Sequence, residues 1–305
     1  MTKVIVSKKE TYTGHNDCIY TLERSQYPHI FYSGAGDGMV VQWDLKNPDK
    51  GQLIAKLPNS IYGLHFLEKV NLLAVGHNYD GLHFLDCDKK KEVSSLNFTD
   101  AAIFDITTFR DKMYVGDGKG ILHVIGLNPL KALDKIKVAE KSVRCLAVNE
   151  VSNELAIGTS DNTILIMNLS DLSLKYTLAD HKNSVFTIRY SPDSQLLLSG
   201  GRDAHLKIWD VKGGYVLLED IVAHMYAINN IAFSPDGKHF VTCSMDKSIK
   251  VWNVERFKLL KVIDKARHAG HGTSVNKLLW SEYNNLLASA SDDRTISIWD
   301  IELNN

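Results

Sequence analysis

The sequence predicts an all-β chain of seven repeats, each made of four short antiparallel strands. Three observations carry that prediction. First, four quartets of residues recur at identical offsets. Trp43, Trp209, Trp252 and Trp299 each follow an Asp by six residues (Asp37, Asp203, Asp246, Asp293). Each follows a Ser or Thr by ten (Ser33, Ser199, Thr242, Ser289) and a His by twenty-eight (His15, His181, His224, His271). Second, Leu85, Ile125 and Met167 fill the gap between Trp43 and Trp209 at steps of 42, 40, 42 and 42, and steps of 43 and 47 complete seven places. A fixed period of this length is the mark of a repeat architecture. Third, each repeat reads as four strand patterns separated by turn residues.

The fifth repeat shows the elements in order. Ser184–Tyr190 alternates, Gln195–Ser199 is apolar, His205–Asp210 alternates, and Tyr215–Ile221 is apolar. Turn residues stand between them at Ser191-Pro192-Asp193, Gly200 to Ala204, and Lys212-Gly213-Gly214. Pro235-Asp236-Gly237 marks the matching hairpin turn one repeat later. No helical periodicity persists beyond about a turn. Seven units of four strands make a seven-bladed β-propeller, which leaves only short edges exposed.

Trp43-Asp44, Trp209-Asp210 and Trp299-Asp300, with Trp252-Asn253 as a near match, end the third strand of their repeats. Gly14-His15, Asp180-His181, Ala223-His224 and Gly270-His271 open the same four repeats. On these residues the chain resembles the WD-repeat family over essentially its whole length. The resemblance implies that the His, Ser/Thr, Asp and Trp of each strong repeat form one hydrogen-bonded set inside a blade. Such a chain of bonds satisfies a buried imidazole, hydroxyl, carboxylate and indole together. It also implies how the ring closes. Asn305 follows Trp299 by six residues, so the seventh repeat lacks a fourth strand. Lys3–Lys9 reads as a lone strand that would serve as the outer strand of the last blade. Residues 1–305 are therefore expected to form a single propeller.

Repeats two, three and four depart from the pattern. They carry Leu85, Ile125 and Met167 at the Trp place and Val75, Val115 and Ile157 at the Ser/Thr place. They lack the His, and only Asp161 keeps its place. Apolar packing in place of the polar set is one reading, since replacing both partners of a bond can be neutral. A specialised surface on these blades is the other.

Composition excludes several function classes. Thirty-five basic and 36 acidic residues leave a net charge of -1, which argues against a nucleic-acid binder relying on a basic surface. It argues equally against a polybasic membrane-surface protein. With 44 % hydrophobic residues the chain can build a full core. No apolar run reaches the length of a membrane span, and Met1 to Glu10 lacks the apolar stretch of a secretory leader. Cys18, Cys87, Cys145 and Cys243 lie 69, 58 and 98 residues apart, without a Cys-x-x-Cys pair. A reduced, cytoplasmic chain is expected, without disulfides or a cysteine zinc site and monomeric on its own.

No enzyme motif stands out. Gly-x-Ser-x-Gly, a phosphate-cradling Gly-x-x-x-x-Gly-Lys-Ser/Thr and His-Glu-x-x-His are all missing from the sequence. His181, Ser199 and Asp203 are residue types of a catalytic triad. The same types recur in four repeats, which suits construction rather than one catalytic centre. His65, His77, His83 and His123 fall outside the repeated set, and His83 and His123 take a polar place expected to face solvent. No catalytic residue, metal or cofactor is assigned. The last repeat is lengthened around Lys265–Gly272, a basic, Gly-containing loop. Trp280 occupies a strand-core place and is given no function.

A ring of short loops without a catalytic set suits a platform. In the WD-repeat family, partners commonly dock where the first strands begin, and the place five residues after the repeat His points to that rim. The resemblance carries this place to Tyr20, Phe186, Asn229 and Asn276, and the strand pattern adds Tyr62, Phe104 and Arg144. The residues before the tight-turn Asp add Arg202, Met245 and Asp292. Aromatic and Arg side chains are common interface anchors. The expected function is a non-enzymatic scaffold or adaptor that binds a protein or peptide on this face, with no nucleic acid or membrane partner. Two alternatives stay open. These rings could pack against neighbouring loops, strands favouring Tyr and Phe anyway. The chain could also be an enzyme or a small-ligand or modified-peptide binder at the channel mouth, through a polar pocket or an aromatic cage of Tyr20, Tyr62 and Phe104.

Overall fold

The computed structural model describes residues 3–48 and 51–304, with the side chains of 3 and 304 left aside. Its strands form seven four-stranded antiparallel sheets, the blades of a β-propeller. A leading strand, β1 (Lys3–Tyr12), precedes the first blade of β2 (Ile19–Arg24), β3 (Ile30–Ala35), β4 (Met39–Asp44) and β5 (Gln52–Lys56). The second has β6 (Ile61–Leu67), β7 (Leu72–His77), β8 (Gly81–Asp86) and β9 (Lys91–Leu96). The third has β10 (Ile103–Phe109), β11 (Lys112–Asp117), β12 (Ile121–Leu127) and β13 (Leu130–Lys137). The fourth has β14 (Val143–Asn149), β15 (Glu154–Thr159), β16 (Ile164–Asn168) and β17 (Leu174–Leu178). The fifth has β18 (Val185–Tyr190), β19 (Leu196–Gly201), β20 (His205–Asp210) and β21 (Val216–Val222). The sixth has β22 (Ile228–Phe233), β23 (His239–Ser244), β24 (Ile249–Asn253) and β25 (Leu259–Ile263). The seventh has β26 (Val275–Trp280), β27 (Leu286–Ser291) and β28 (Ile296–Asn304), and its fourth strand is β1.

The strands of the fifth blade begin and end within two residues of their expected places. One turn starts later than expected. Gly200 pairs with Leu206 and Gly201 with Val185, so both remain in β19 and the turn begins at Arg202. The lengthened loop of the last repeat folds a single helical turn, α1 (Lys265–His268), capped by Asp264.

The chain divides into two compact units. One comprises Met1–Val75, Phe84–Ser94 and Asn229–Asn305, the other Gly76–His83 and Ser95–Ile228. In each unit the core lies in slabs between successive sheets. In the second unit, one slab joins Ile164 and Ile166 of the fourth blade to Val185, Ile188, Leu197 and Trp209 of the fifth. Inner and outer strands differ accordingly. Every residue of β15 is buried, whereas β17 is exposed except at Leu178.

The closing strand lies in the first unit. β1 runs antiparallel to β28 from Lys3↔Asn304 to Tyr12↔Ile296, with a bulge between Lys8 and Glu10. It is longer than the expected Lys3–Lys9, and its extra residues reach into the first blade. Tyr12 is buried there, its ring stacked 5.3 Å from Trp43 and 6.2 Å from Phe31.

Candidate functional site

The polar sets come first, because they hold the loops in place. In the fifth blade His181 Nε2 lies 2.8 Å from Ser199 Oγ, and its Nδ1 lies 2.9 Å from Asp203. Trp209 Nε1 donates to Ser199 Oγ at 3.0 Å. The first blade repeats this with His15, Ser33, Asp37 and Trp43, at 2.7 Å for His15–Ser33 and 2.8 Å for Trp43–Ser33. The seventh repeats it with His271, Ser289, Asp293 and Trp299, at 2.9 Å for both His271 contacts and 2.8 Å for Trp299–Ser289. In the sixth, Trp252 Nε1 donates to Thr242 at 3.0 Å, His224 is buried, and Asp246 accepts from Ser248 N.

The Asp does more than face a histidine. Asp203 accepts from Lys182 N at 2.9 Å and from His205 N at 3.2 Å, tying the loop after the His to its own turn. Asp161 of the fourth blade accepts from Glu140 N and Lys141 N in the same way, without any His. Burial opposes the Asp203 charge, but the His181 bond and these backbone donors outweigh it and lower its pKa to about 2.

The second and third blades correct one expectation: the His83 side chain is only 12 % exposed and does not face solvent. In the third blade His123 does not face solvent either: it is 4 % exposed, and its Nε2 lies 2.8 Å from Asp117, which also accepts from Thr99 at 2.9 Å. A Thr–Asp–His set thus replaces the usual one, from different places in the repeat. The Trp and Ser/Thr places, Ile125 and Val115, are fully buried apolar residues.

The predicted partner-binding residues separate into three groups. In the second unit the Arg144 guanidinium lies over the Phe104 ring at 4.0 Å and the Phe186 ring at 4.9 Å. All three are half-buried at the starts of β10, β14 and β18, and Arg202 is exposed. In the first unit Tyr20 and Tyr62 pair at 4.7 Å, both half-buried, and Met245 is 51 % exposed. Asn229 and Asn276 are spent on structure. Asn229 Nδ2 donates to Ser274 Oγ and Val275 O, and Asn276 Nδ2 to Ile19 O and Asp292, linking neighbouring first strands.

Sequence reasoning missed two residues at these strand ends. Met225 is 81 % exposed and Tyr226 61 %, directly after His224. The signal was present: the corresponding pairs, Asn16-Asp17, Lys182-Asn183 and Gly272-Thr273, hold no large apolar or aromatic residue. Sequence reasoning also left His77 and His83 apart from any site. The structure gathers them around Asp80, with one ligand atom of each within 4.8 Å of the others.

A cavity of ≈ 410 Å³ lies elsewhere, at the opposite strand ends of the first unit, lined by residues including Arg24, Tyr27, Pro28, Glu68, Trp280 and Ser281. Its ion pair, Arg24–Glu68 at 3.0 Å, is solvated on both sides. No helix among the described residues is long and apolar enough to cross a membrane.

Comparison with known proteins agrees with this architecture. The model of the "WD domain, G-beta repeat" family matches residues 7–44, 172–210, 216–253 and 262–300. The chain is 27 % identical to the "66 kDa stress protein" of Physarum polycephalum over 96 % of its own length and 48 % of that protein. It is 22 % identical to "THO complex subunit 3" of Arabidopsis thaliana over 66 % of its length and 64 % of that protein. A shorter stretch, 32 % of the chain and 13 % of the relative, is 32 % identical to "Anaphase-promoting complex subunit cdh1" of Dictyostelium discoideum. The chain thus spans less than two thirds of the length of these relatives. Four matched repeats, their polar sets and seven four-stranded sheets place the chain in the WD-repeat family.

Proposed function

We propose that the chain is a non-enzymatic scaffold, binding a protein or peptide where the first strands begin and serving as a subunit or adaptor of a larger assembly. The observation that carries this reading is the Phe104–Arg144–Phe186 stack. A guanidinium held between two half-buried rings is already ordered, so a partner immobilises less on binding. Arg and aromatic residues are the usual anchors of interfaces. Arg202, Met225 and Tyr226 add exposed contact surface in the same unit.

Two of the relatives are named as subunits of complexes, which supports an adaptor role. The triad-type residues His181, Ser199 and Asp203 are joined to Trp209 and backbone donors, a use that suits construction. A reducing, cytoplasmic setting is part of the same proposal, on the wide spacing of the four cysteines in the sequence. The test compares wild type with Arg144→Glu/Phe186→Ala in affinity capture from native extract, after both show the same melting temperature. Loss of a stoichiometric partner from the variant is expected. Equal capture by both proteins would overturn this site.

A further inference from the structure

The second blade lacks the His–Ser–Asp–Trp set, and its β7–β8 hairpin holds a polar group of another kind. His77 ends β7, Asp80 lies in the turn, and His83 is the third residue of β8. Tyr79 and Gly81, at φ 73° and 82°, flank Asp80 and make the turn tight. Asp80 Oδ2 stands 3.9 Å from His77 Nδ1 and 3.6 Å from His83 Nε2. The three ligand atoms lie within 4.8 Å of one another.

These separations are too long for hydrogen bonds. They are slightly wider than the edge of a tetrahedron of ligands around zinc, about 3.3 Å for bonds of about 2.0–2.1 Å. Small side-chain shifts would shorten the two Asp80 separations to that edge, and the two imidazole nitrogens, within 4.8 Å of each other, would have to close on the same ion. His77 is 3 % exposed, and neither of its ring nitrogens has a hydrogen-bond partner. Burying an imidazole in that state is costly, and such groups call for an explanation. The third blade is the contrast. There His123 and Asp117 are at 2.8 Å, in direct hydrogen bond, and Thr99 completes the set.

Asp80 is also oriented from outside. Its Oδ1 accepts from Asn97 Nδ2 at 2.7 Å, which leaves Oδ2 facing the two imidazoles. The carboxylate is 50 % exposed, so one side of the group opens to water.

We propose that His77, Asp80 and His83 form a site for one divalent ion of the zinc class, with a fourth coordination position open to water. Two imidazole nitrogens and one carboxylate oxygen suit such an ion, with three protein ligands and an open place. Magnesium and calcium favour all-oxygen sets. Asn97 acts on the ion through Asp80, as an outer hydrogen-bond partner.

The test titrates chelator-stripped protein with Zn²⁺ by calorimetry and with Co²⁺ by its visible absorption. One ion per chain is expected, with Mg²⁺ not competing. Asn97→Ala should weaken Zn²⁺ binding by about 10–100-fold, and Asp80→Asn and His83→Gln by more than that. Bound Zn²⁺ should also raise the melting temperature of wild type and leave that of Asp80→Asn unchanged. Asp80 is half exposed, so Asp80→Asn keeps the test intact if a change at buried His77 fails to fold. No one-to-one binding in wild type would overturn the site. So would binding that persists unchanged in both Asp80→Asn and His83→Gln, which would place the ion on other histidines.

Discussion

A buried imidazole is stable when both ring nitrogens are occupied, and His181 meets that condition between Ser199 and Asp203. The Asp203 pKa is lowered in the folded chain to about 2, so folding favours the carboxylate. The stability this adds is present above the unfolded pKa of about 3.9 and is lost as pH falls through the folded value. Asp203→Asn should therefore cost about 1.5–3 kcal/mol near neutral pH, the range for hydrogen bonds to a charged group. The gap in melting temperature between wild type and variant should hold steady down to about pH 5 and narrow between about pH 4 and 2. Thermal melts across that range check it, and a gap independent of pH would contradict it. The quartets were legible because their offsets repeat. Thr99, Asp117 and His123 were not, because no other repeat carries an Asp at the Asp117 place.

At the scale of the element, successive sheets meet through the residue after the Ser/Thr place. In the first blade this is Gly34, where an added Cβ would stand 2.7 Å from Ile61 Cγ2 and 3.0 Å from Thr21 Cγ2. Gly200 stands the same way against Ile228, where a Cβ would come within 2.8 Å of Cγ2. The side chain is missing because the first strand of the next sheet needs the space. Ile61 and Ile228 are both 0 % exposed and have little room to retreat. Gly34→Ala should cost about 1–3 kcal/mol by overpacking, read as a lower denaturant midpoint with an unchanged slope. An unchanged midpoint would show that the sheets can separate locally. From sequence Gly200 reads as the first residue of a turn that runs to Ala204. Only the pairing of β19 with β18 and β20 shows it inside a strand.

At the scale of the whole molecule, the chain's first strand completes its last sheet. β1 makes the outer strand of the seventh blade, Val4 joins Trp299 and Ile301 in that blade's core, and Tyr12 enters the core of the first. Lys9 pairs with Asp300 at 3.0 Å, and Lys8 donates to Ala269 O. Removing residues 1–9 would leave β28 unpaired from Trp299 onward, an open edge that invites aggregation. The truncated chain should melt well below the full one or aggregate on heating. An unchanged melting temperature would refute this closure. The surface variant Arg144→Glu/Phe186→Ala tests the opposite property, since half-exposed side chains away from the cores should change stability little.

The sequence by itself determined the repeat count, the four strong polar sets and the origin of the closing strand. The count rests on offsets that recur, and the bonded sets and the closing strand on the family resemblance that those residues carry. Only the tertiary structure decided where side chains from different repeats meet. Arg144 came from a strand pattern in the fourth repeat, but its stacking between Phe104 and Phe186 depends on the spacing of three neighbouring first strands. Asn229 and Asn276 look like equivalent surface residues in the sequence, yet their amides are consumed between strands. His83 shares the repeat place of His123, but nothing in that pattern links it to His77 or Asp80. A hairpin with two positive φ angles brings the two histidines to Asp80, and backbone geometry at a single turn leaves no periodic trace in a sequence.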